Sequence, residues 1–330
     1  MRQEPYSAQI EHAARLLRDG RLVAFPTETV YGLGANALDA EAVGRIYQVK
    51  RRPGTSPLIV HVASIEMAAS LVANWPEIAD RLARRFWPGP LTLVLEKQLN
   101  KPPVIPGIVS AGLSTVGLRM PAHPIALALI LAAGVPLAAP SANRFTELSP
   151  TTADHVRRGL GSDVDLILDG GPCPVGIEST VLSLAGWSGG SPPVLLRPGG
   201  IARSQIESLI GPVASAGDPA AGPHPAPGLH PRHYSPRTTL YLATNGKLPD
   251  RGRGLYLQHR HAPSRANITI HQMPQSPAGY AAALYEVLHQ ADAGSYNWIA
   301  VDRPPSTPEW EAVRDRLQRA ATEYSRAGAS

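Results

Sequence analysis

The chain has one cysteine, Cys173, in 330 residues. That count excludes a disulfide framework and any cysteine-cluster zinc or iron–sulfur site, and makes the cytosol the expected compartment. Aromatic residues are scarce, at 5% with three phenylalanines. No aromatic-rich basic strand is present, which argues against a base-stacking platform for single-stranded nucleic acid. No apolar run approaches the roughly 18 residues that a bilayer span requires; the longest, Ile125 to Val135, has the size of a helix. The opening segment MRQEPYSAQIEHAARLLRDG carries acids and lacks an apolar core, so it reads as neither a signal nor a transit peptide. Lysine is rare too, at 4 residues against 27 arginines, while the net charge of +5 is modest and suits polyphosphate substrates as well as nucleic acid.

What is plentiful is proline (34) and glycine (30), too many for helices and strands alone. Ten of them fall between Pro212 and Thr238, where apolar periodicity vanishes. This divides the chain into a large domain over 1–211, a linker over 212–237 and a small domain over 238–330. In the first domain, helical spacing over Ile10 to Leu17 ends at Gly20, before a buried strand at Leu22 to Phe25. Further strands are expected at Pro57–Val62, Leu91–Leu95, Val116–Met120, Pro136–Ala139, Thr180–Leu184 and Val194–Leu196, with helices between them. The small domain reads as strands near Leu240, Leu255, Ile268 and Trp298, with helices over Pro277–Gln290 and Pro308–Tyr324, the first capped by Ser276. The class is α/β.

Common nucleotide devices are missing. There is no GxxxxGK[ST] loop, and Gly32-Leu33-Gly34 lacks the third glycine of a dinucleotide fingerprint. GLSTVG is not a nucleophile elbow, because no glycine follows two residues after its serine. His259-Arg260-His261 has no carboxylate or cysteine at ligand spacing and reads as surface. Polar residues instead gather where strands end. Pro26 to Gly34 offers hydroxyls and close-approach glycines, and Lys50-Arg51-Arg52 follows a helix whose dipole alone could account for them. His61 closes the strand PLIVH. Alternation in TVGLR puts Thr115, Gly117 and Arg119 on one face, and a buried arginine there calls for an anion, either a ligand carboxylate or an internal acid. Ser141 and Asn143 end another strand, and Thr151 or Thr152 suits a helix cap.

These words, FPTETVYGLGANA, KRRPGTSPLIVHV, WPGPLTLVL, TVGLRMPAHP, PLAAPSANRFTELSPT, GIESTVLSL and LLRPGGI, occur in this order over Ile10 to Ile210. They resemble the L-threonylcarbamoyladenylate synthase family of YrdC-like enzymes, in its long two-domain form. The resemblance implies a twisted mixed open sheet with helices, plus a small C-terminal Rossmann-like α/β domain. It implies the reaction of L-threonine, bicarbonate and ATP to threonylcarbamoyl-AMP and pyrophosphate, with Mg2+ carried by the ATP. The product passes to the transferase that modifies tRNA adenosine 37; no membrane takes part, and direct contact with tRNA is not required. By motif, Thr29, His61, Arg119, Ala139 and Ser179 resemble the threonine site, with Arg119 pairing the substrate carboxylate through a two-pronged fork. Arg52, Ser56, Thr115, Ser141, Ser149, Arg197 and Tyr234 resemble the ATP site, and Lys50 with Arg52 would face the triphosphate and do the catalytic work.

Two positions depart from the family pattern: Ser56 stands where asparagine is usual, and His230-Pro231 stand where the family has lysine and tyrosine. The linker, with Arg232, His233 and Tyr234, is the expected lid over a water-labile intermediate. Two other functions compete at this level: an RNA-binding module using the same basic concavity, and a carbamoyl transferase, for which extra zinc-type cysteine modules would be expected.

Overall fold

The computed structural model describes residues 4–187, 190–216, 234–243, 248–259 and 266–322. The first part runs α1 (Glu4–Arg18), β1 (Val23–Phe25), β2 (Gly32–Asn36), α2 (Ala40–Lys50), β3 (Ile59–His61), α3 (Ile65–Ser70) and α4 (Glu77–Phe86). It continues through β4 (Leu91–Glu96), β5 (Thr115–Arg119), α5 (Pro124–Ala133), β6 (Leu137–Ala138), α6 (Ala153–Gly159), β7 (Leu166–Ile167), β8 (Thr180–Ser183), β9 (Val194–Arg197), α7 (Arg203–Ile210) and β10 (Ala214–Ser215). The second part holds β11 (Leu240–Leu242), β12 (Gly254–Gln258), β13 (Ile268–Gln272), α8 (Pro277–Ala293), β14 (Trp298–Val301) and α9 (Glu311–Ala320).

Ten strands form one twisted sheet in the order β10-β9-β8-β4-β5-β3-β6-β2-β1-β7. It is mixed: β3 with β5 and β4 with β8 run parallel, while β4 with β5 and β8 with β9 run antiparallel. The other four strands form a wholly parallel sheet, β11-β14-β12-β13, the Rossmann-like arrangement that the resemblance implies. The strand ends that matter for function lie in the middle of the large sheet, where His61 and Arg119 are direct partners across the β3–β5 ladder.

Local chemistry sets the elements that carry the site. Asp39 caps α2 by accepting the N–H groups of Glu41 and Ala42. The helix buries Val43, Ile46 and Tyr47 and stops where Arg51 turns left-handed, at φ 52°. That turn sends Lys50 and Arg52 inward and leaves Arg51 exposed. The segment Pro26–Gly34, read from sequence as a single connection, is a hairpin half made of strand: Phe25 pairs with Gly32 across β1 and β2. Gly34 makes this possible, since a Cβ there would sit 2.7 Å from the Phe25 ring. The Thr27 hydroxyl ties the turn, accepting the N–H groups of Thr29 and Val30 and donating to the Val30 carbonyl.

Two further readings are amended. The expected linker opens with β10, which extends the large sheet along β9, and residues 217–233, including Arg232 and His233 of the expected lid, lie outside the described residues. His259 is buried rather than on the surface, its ring edge-on to Trp310 at 4.7 Å; Arg260 and His261 are outside the described residues. An imidazole presents one apolar edge, so aromatic neighbours can absorb it without a metal.

The two parts share one apolar cluster, in which Val30, Leu148 and Ile177 of the first pack with Tyr234, Tyr280, Leu284 and Tyr285. Helix α8 lies so close that a Cβ on Gly176 would stand 2.5 Å from the Ala282 backbone, and Gly176 itself has φ +73°. Gly176→Ala therefore forces both a left-handed non-glycine and a backbone clash, and should cost about 2 kcal/mol or more. Chemical denaturation reads this directly; an unchanged midpoint would show that α8 does not rest on this turn.

Candidate active site

At the centre of the large sheet lies a small hollow, with a cavity volume of about 50 Å³, onto which several strand ends converge. The β1–β2 hairpin supplies Thr27, Thr29, Val30 and Gly32; the end of β3 supplies His61; the end of β5 supplies Arg119. Ala139, Pro140 and Ser141 follow β6, Glu178 and Ser179 precede β8, Arg197 ends β9, and Tyr234 stands just before the second part. Arg52 completes the wall. Small residues and hydroxyls at strand ends leave the room, and long guanidiniums reach back into it.

Three of the sequence-selected cations, Arg52, Arg119 and Arg197, thus meet on one cavity, and all are buried. Their partners differ. Arg119 donates from Nη2 to Glu28 at 2.6 Å and from Nε to the Gly89 carbonyl at 3.2 Å, so the internal acid that the sequence left open is present. The side-on edge of that fork is engaged within the protein, and a ligand carboxylate would meet the end-on edge. Arg197 donates to the Ser179 carbonyl and hydroxyl at 2.9 and 3.2 Å and to the Tyr234 hydroxyl at 3.4 Å. Among the described residues Arg52 donates to neutral oxygens, the carbonyls of Ser56 and Pro57 and the Ser56 hydroxyl, and its guanidinium carbon lies 5.5 Å from the centre of the Phe145 ring. Burial and the neighbouring Arg197 lower its pKa to about 10, against a smaller opposing pull from Tyr47 and Tyr234.

His61 is the other marked group. Burial, reinforced by Arg119, lowers its pKa to about 3, and Nδ1 has no hydrogen-bond partner. Burial thus favours the neutral imidazole, which lines the hollow. Thr29, Ala139, Ser141 and Ser179 also line the hollow; the Ser179 hydroxyl is held by Thr92 at 2.8 Å.

Four sequence-selected residues stand elsewhere. Lys50 is buried, but Nζ donates to the Ser141 carbonyl at 2.5 Å and to the Asn143 carbonyl, and it lines a second cavity with Arg51 and Arg144 on the far side of that loop. Burial and the nearby Arg52 hold its pKa well below the ordinary lysine value. Ser56 does not line the hollow; its hydroxyl accepts from Arg52 at 2.6 Å, so the short side chain serves the arginine instead of a ligand. Thr115 lines a separate narrow cleft with Gly117. It shares a face with Arg119, as alternation requires, but four residues of strand separate them by about 13 Å. Ser149 is buried and donates to Glu178 at 2.5 Å.

Sequence reasoning passed over Glu28, Glu178 and Arg316. Glu28 stood next to the selected Thr29, and the need of Arg119 for an anion was the signal for it. Glu178 accepts from Ser149, from Tyr285 at 3.2 Å and from Arg316 at 2.7 Å. Burial pushes its carboxyl up, yet Arg316 and Arg197 outweigh that and hold it below the ordinary value. Nothing in the order of residues joins Glu178 to an arginine 138 positions away.

A sheet-end hollow walled by guanidiniums and hydroxyls defines an enzyme that gathers small anionic substrates and works on them by placement. The comparisons make this specific. The Sua5/YciO/YrdC family model, described as "Telomere recombination", matches residues 15–199, and the model described as "Threonylcarbamoyl-AMP synthase, C-terminal domain" matches residues 201–322. The chain is 42% identical to a threonylcarbamoyl-AMP synthase of Bacillus subtilis, over 95% of this chain and 93% of that one. It is 50% identical to that of Pyrococcus abyssi over 71% of this chain and 67% of that one. The crystal structure of P. abyssi Sua5 complexed with L-threonine superposes with a TM-score of 0.84 at 36% identity, over 97% of each chain. The chain belongs to the Sua5 family of threonylcarbamoyl-AMP synthases.

The neutral His61 has a consequence for stability. With its folded pKa near 3 and an unfolded value near 6.5, the unfolded chain binds the extra proton between these limits, so stability is lost as pH falls below about 6.5, at about 1.4 kcal/mol per unit. His61→Gln should flatten the acid limb by about 2 kcal/mol at pH 5. Parallel limbs for both proteins in urea titrations from pH 7 to 4 would show that the imidazole takes up its proton in the folded state.

Proposed function

We propose that the chain makes threonylcarbamoyl-AMP and pyrophosphate from L-threonine, bicarbonate and ATP, the first step of threonylcarbamoyl addition to tRNA adenosine 37. The observation that carries this reading is Arg52, a buried guanidinium that lines the hollow and, among the described residues, has neutral acceptors. A cation taken out of water needs an anion, and a phosphate chain offers several oxygens. Arg197 stands on the same wall, so two guanidiniums can share the charge of the nucleotide.

Threonine takes the end lined by Thr29, His61, Arg119, Ala139 and Ser179. Its carboxylate meets the end-on edge of Arg119, which Glu28 keeps from swinging. His61, at about 3, is too weak a base to remove a proton at neutral pH; it orients the substrate through its neutral ring. The amine adds to CO2 derived from bicarbonate, losing a proton and forming N-carboxythreonine. One oxygen of the new carboxylate then attacks the α-phosphorus, the bond to the β-phosphate oxygen breaks, and pyrophosphate leaves with its Mg2+. No covalent bond to the protein forms, and the rate comes from alignment and charge neutralisation.

Lys50 acts from behind the wall: by holding the carbonyls of Ser141 and Asn143 it keeps Ser141 on the hollow, as Ser56 keeps Arg52. The catalytic domain is residues 1–211, the linker 212–237 and the small domain 238–330. The labile product passes in the cytoplasm to the transferase that acts on tRNA.

Pyrophosphate release from ATP should require L-threonine and bicarbonate together; release that is indifferent to either sinks the reading, and salt-sensitive RNA binding without release supports the RNA module instead. Arg119→Ala should raise the KM for threonine about 10- to 100-fold, the value of one charged contact. A threonine saturation curve like that of the wild type would remove Arg119 from the site.

A further inference from the structure

A side chain from the second part of the molecule packs against residues that line the hollow. Arg316, from α9, is fully buried, an uncommon place for a guanidinium and one that demands paired acceptors. Nε donates to Glu178 at 2.7 Å, Nη2 donates to the Pro198 carbonyl at 3.0 Å, and Nη1 pairs with Asp315. Its guanidinium carbon lies 4.9 Å from the centre of the Tyr234 ring. Burial works against its charge, but Tyr234, Glu178 and Asp315 together hold it protonated.

Three of these four contacts touch a wall residue or its chain neighbour. Glu178 lines the hollow and precedes Ser179; Pro198 follows Arg197; Tyr234 lines the hollow and takes a hydrogen bond from Arg197. Tyr285, from α8, adds its hydroxyl to the Glu178 carboxylate at 3.2 Å and stacks obliquely near Tyr234 at 6.1 Å. One planar fork therefore fixes the carboxylate, the turn after β9 and the tyrosine ring at once, an arrangement an ammonium cannot reproduce.

We propose that Arg316 is a positioning residue for the nucleotide, acting through Glu178, Tyr234 and the Arg197 turn, so that the small domain is part of the active site. This rests on the assignment of Arg197 and Tyr234 to ATP made above. Ser179 is shared between Arg197 and Thr92, while His61 and Arg119 stand on other strands, paired with each other across β3 and β5, so the threonine end depends on this device less than the nucleotide end does.

The test is equilibrium binding of ATP and of L-threonine to full-length Arg316→Lys and Glu178→Gln, each shown folded by its melting transition. The lysine keeps a charge but loses the fork; the glutamine keeps hydrogen-bonding oxygen but loses the charge. Both should weaken ATP at least fivefold, leave threonine within twofold and leave the binding stoichiometry near one. The double variant should be no weaker than the worse single, because both act on one device. A merely structural role lowers the stoichiometry and leaves both Kd values in place, and that result overturns the proposal, as does additivity in the double variant. Pyrophosphate release is measured alongside: a wild type that binds ATP without threonine- and bicarbonate-dependent release refutes the reaction assigned above, while the effect of Arg316 on ATP binding still decides the present claim.

Discussion

Removing a guanidinium from water costs several kcal/mol unless other groups replace the lost hydration, and this one constraint organises the molecule. Each buried arginine around the hollow meets it differently. Arg119 has a carboxylate, Arg197 has a carbonyl and two hydroxyls, and Arg316 has two carboxylates, a carbonyl and an aromatic face. Arg52 has carbonyls, one serine hydroxyl and the Phe145 ring, with no carboxylate among the described residues. The gradient from fully compensated to neutral partners marks where the protein is finished by itself and where a substrate completes it.

The same constraint explains why the second part is held so firmly to the first. A shared apolar cluster would permit sliding, because apolar contact has little direction. The Glu178 carboxylate, with one oxygen taking Ser149 and the other taking Arg316, does not. The stacked pair His155 and His289, 3.7 Å apart, and the Ser149 carbonyl beside His289 add contacts of fixed geometry along the same seam. Polar groups here supply register, and the aliphatic groups around them supply the area removed from water.

The fold was legible to a large extent for ordinary reasons. α8 shows its Ser276 cap and Pro277 start, and the strands around Leu91, Thr180 and Trp298 show buried runs bounded by turn residues. Where the reading slipped, a non-local contact had decided the matter: the hairpin at Gly32 depends on Phe25 lying over Gly34, and the two-residue β10 exists only because β9 offers an edge. The site was partly legible. Arg52, Arg119, Arg197, His61 and Ser141 reach one hollow. Thr115 stands on a separate cleft, Ser149 gives its hydroxyl to Glu178, and Lys50 is held by the carbonyls of Ser141 and Asn143.

By itself the order of residues determined the α/β class, the family, the main elements and the list of groups able to bind anions, because those follow from periodicity, capping and motif, all of which are local. Only the tertiary structure decided which arginine is satisfied internally, which serine takes a hydrogen bond from an arginine, and that Arg316 pairs with the wall residue Glu178 from 138 residues away. Charge compensation in a low-dielectric interior is settled by distance through space, and spacing along the chain carries no record of it.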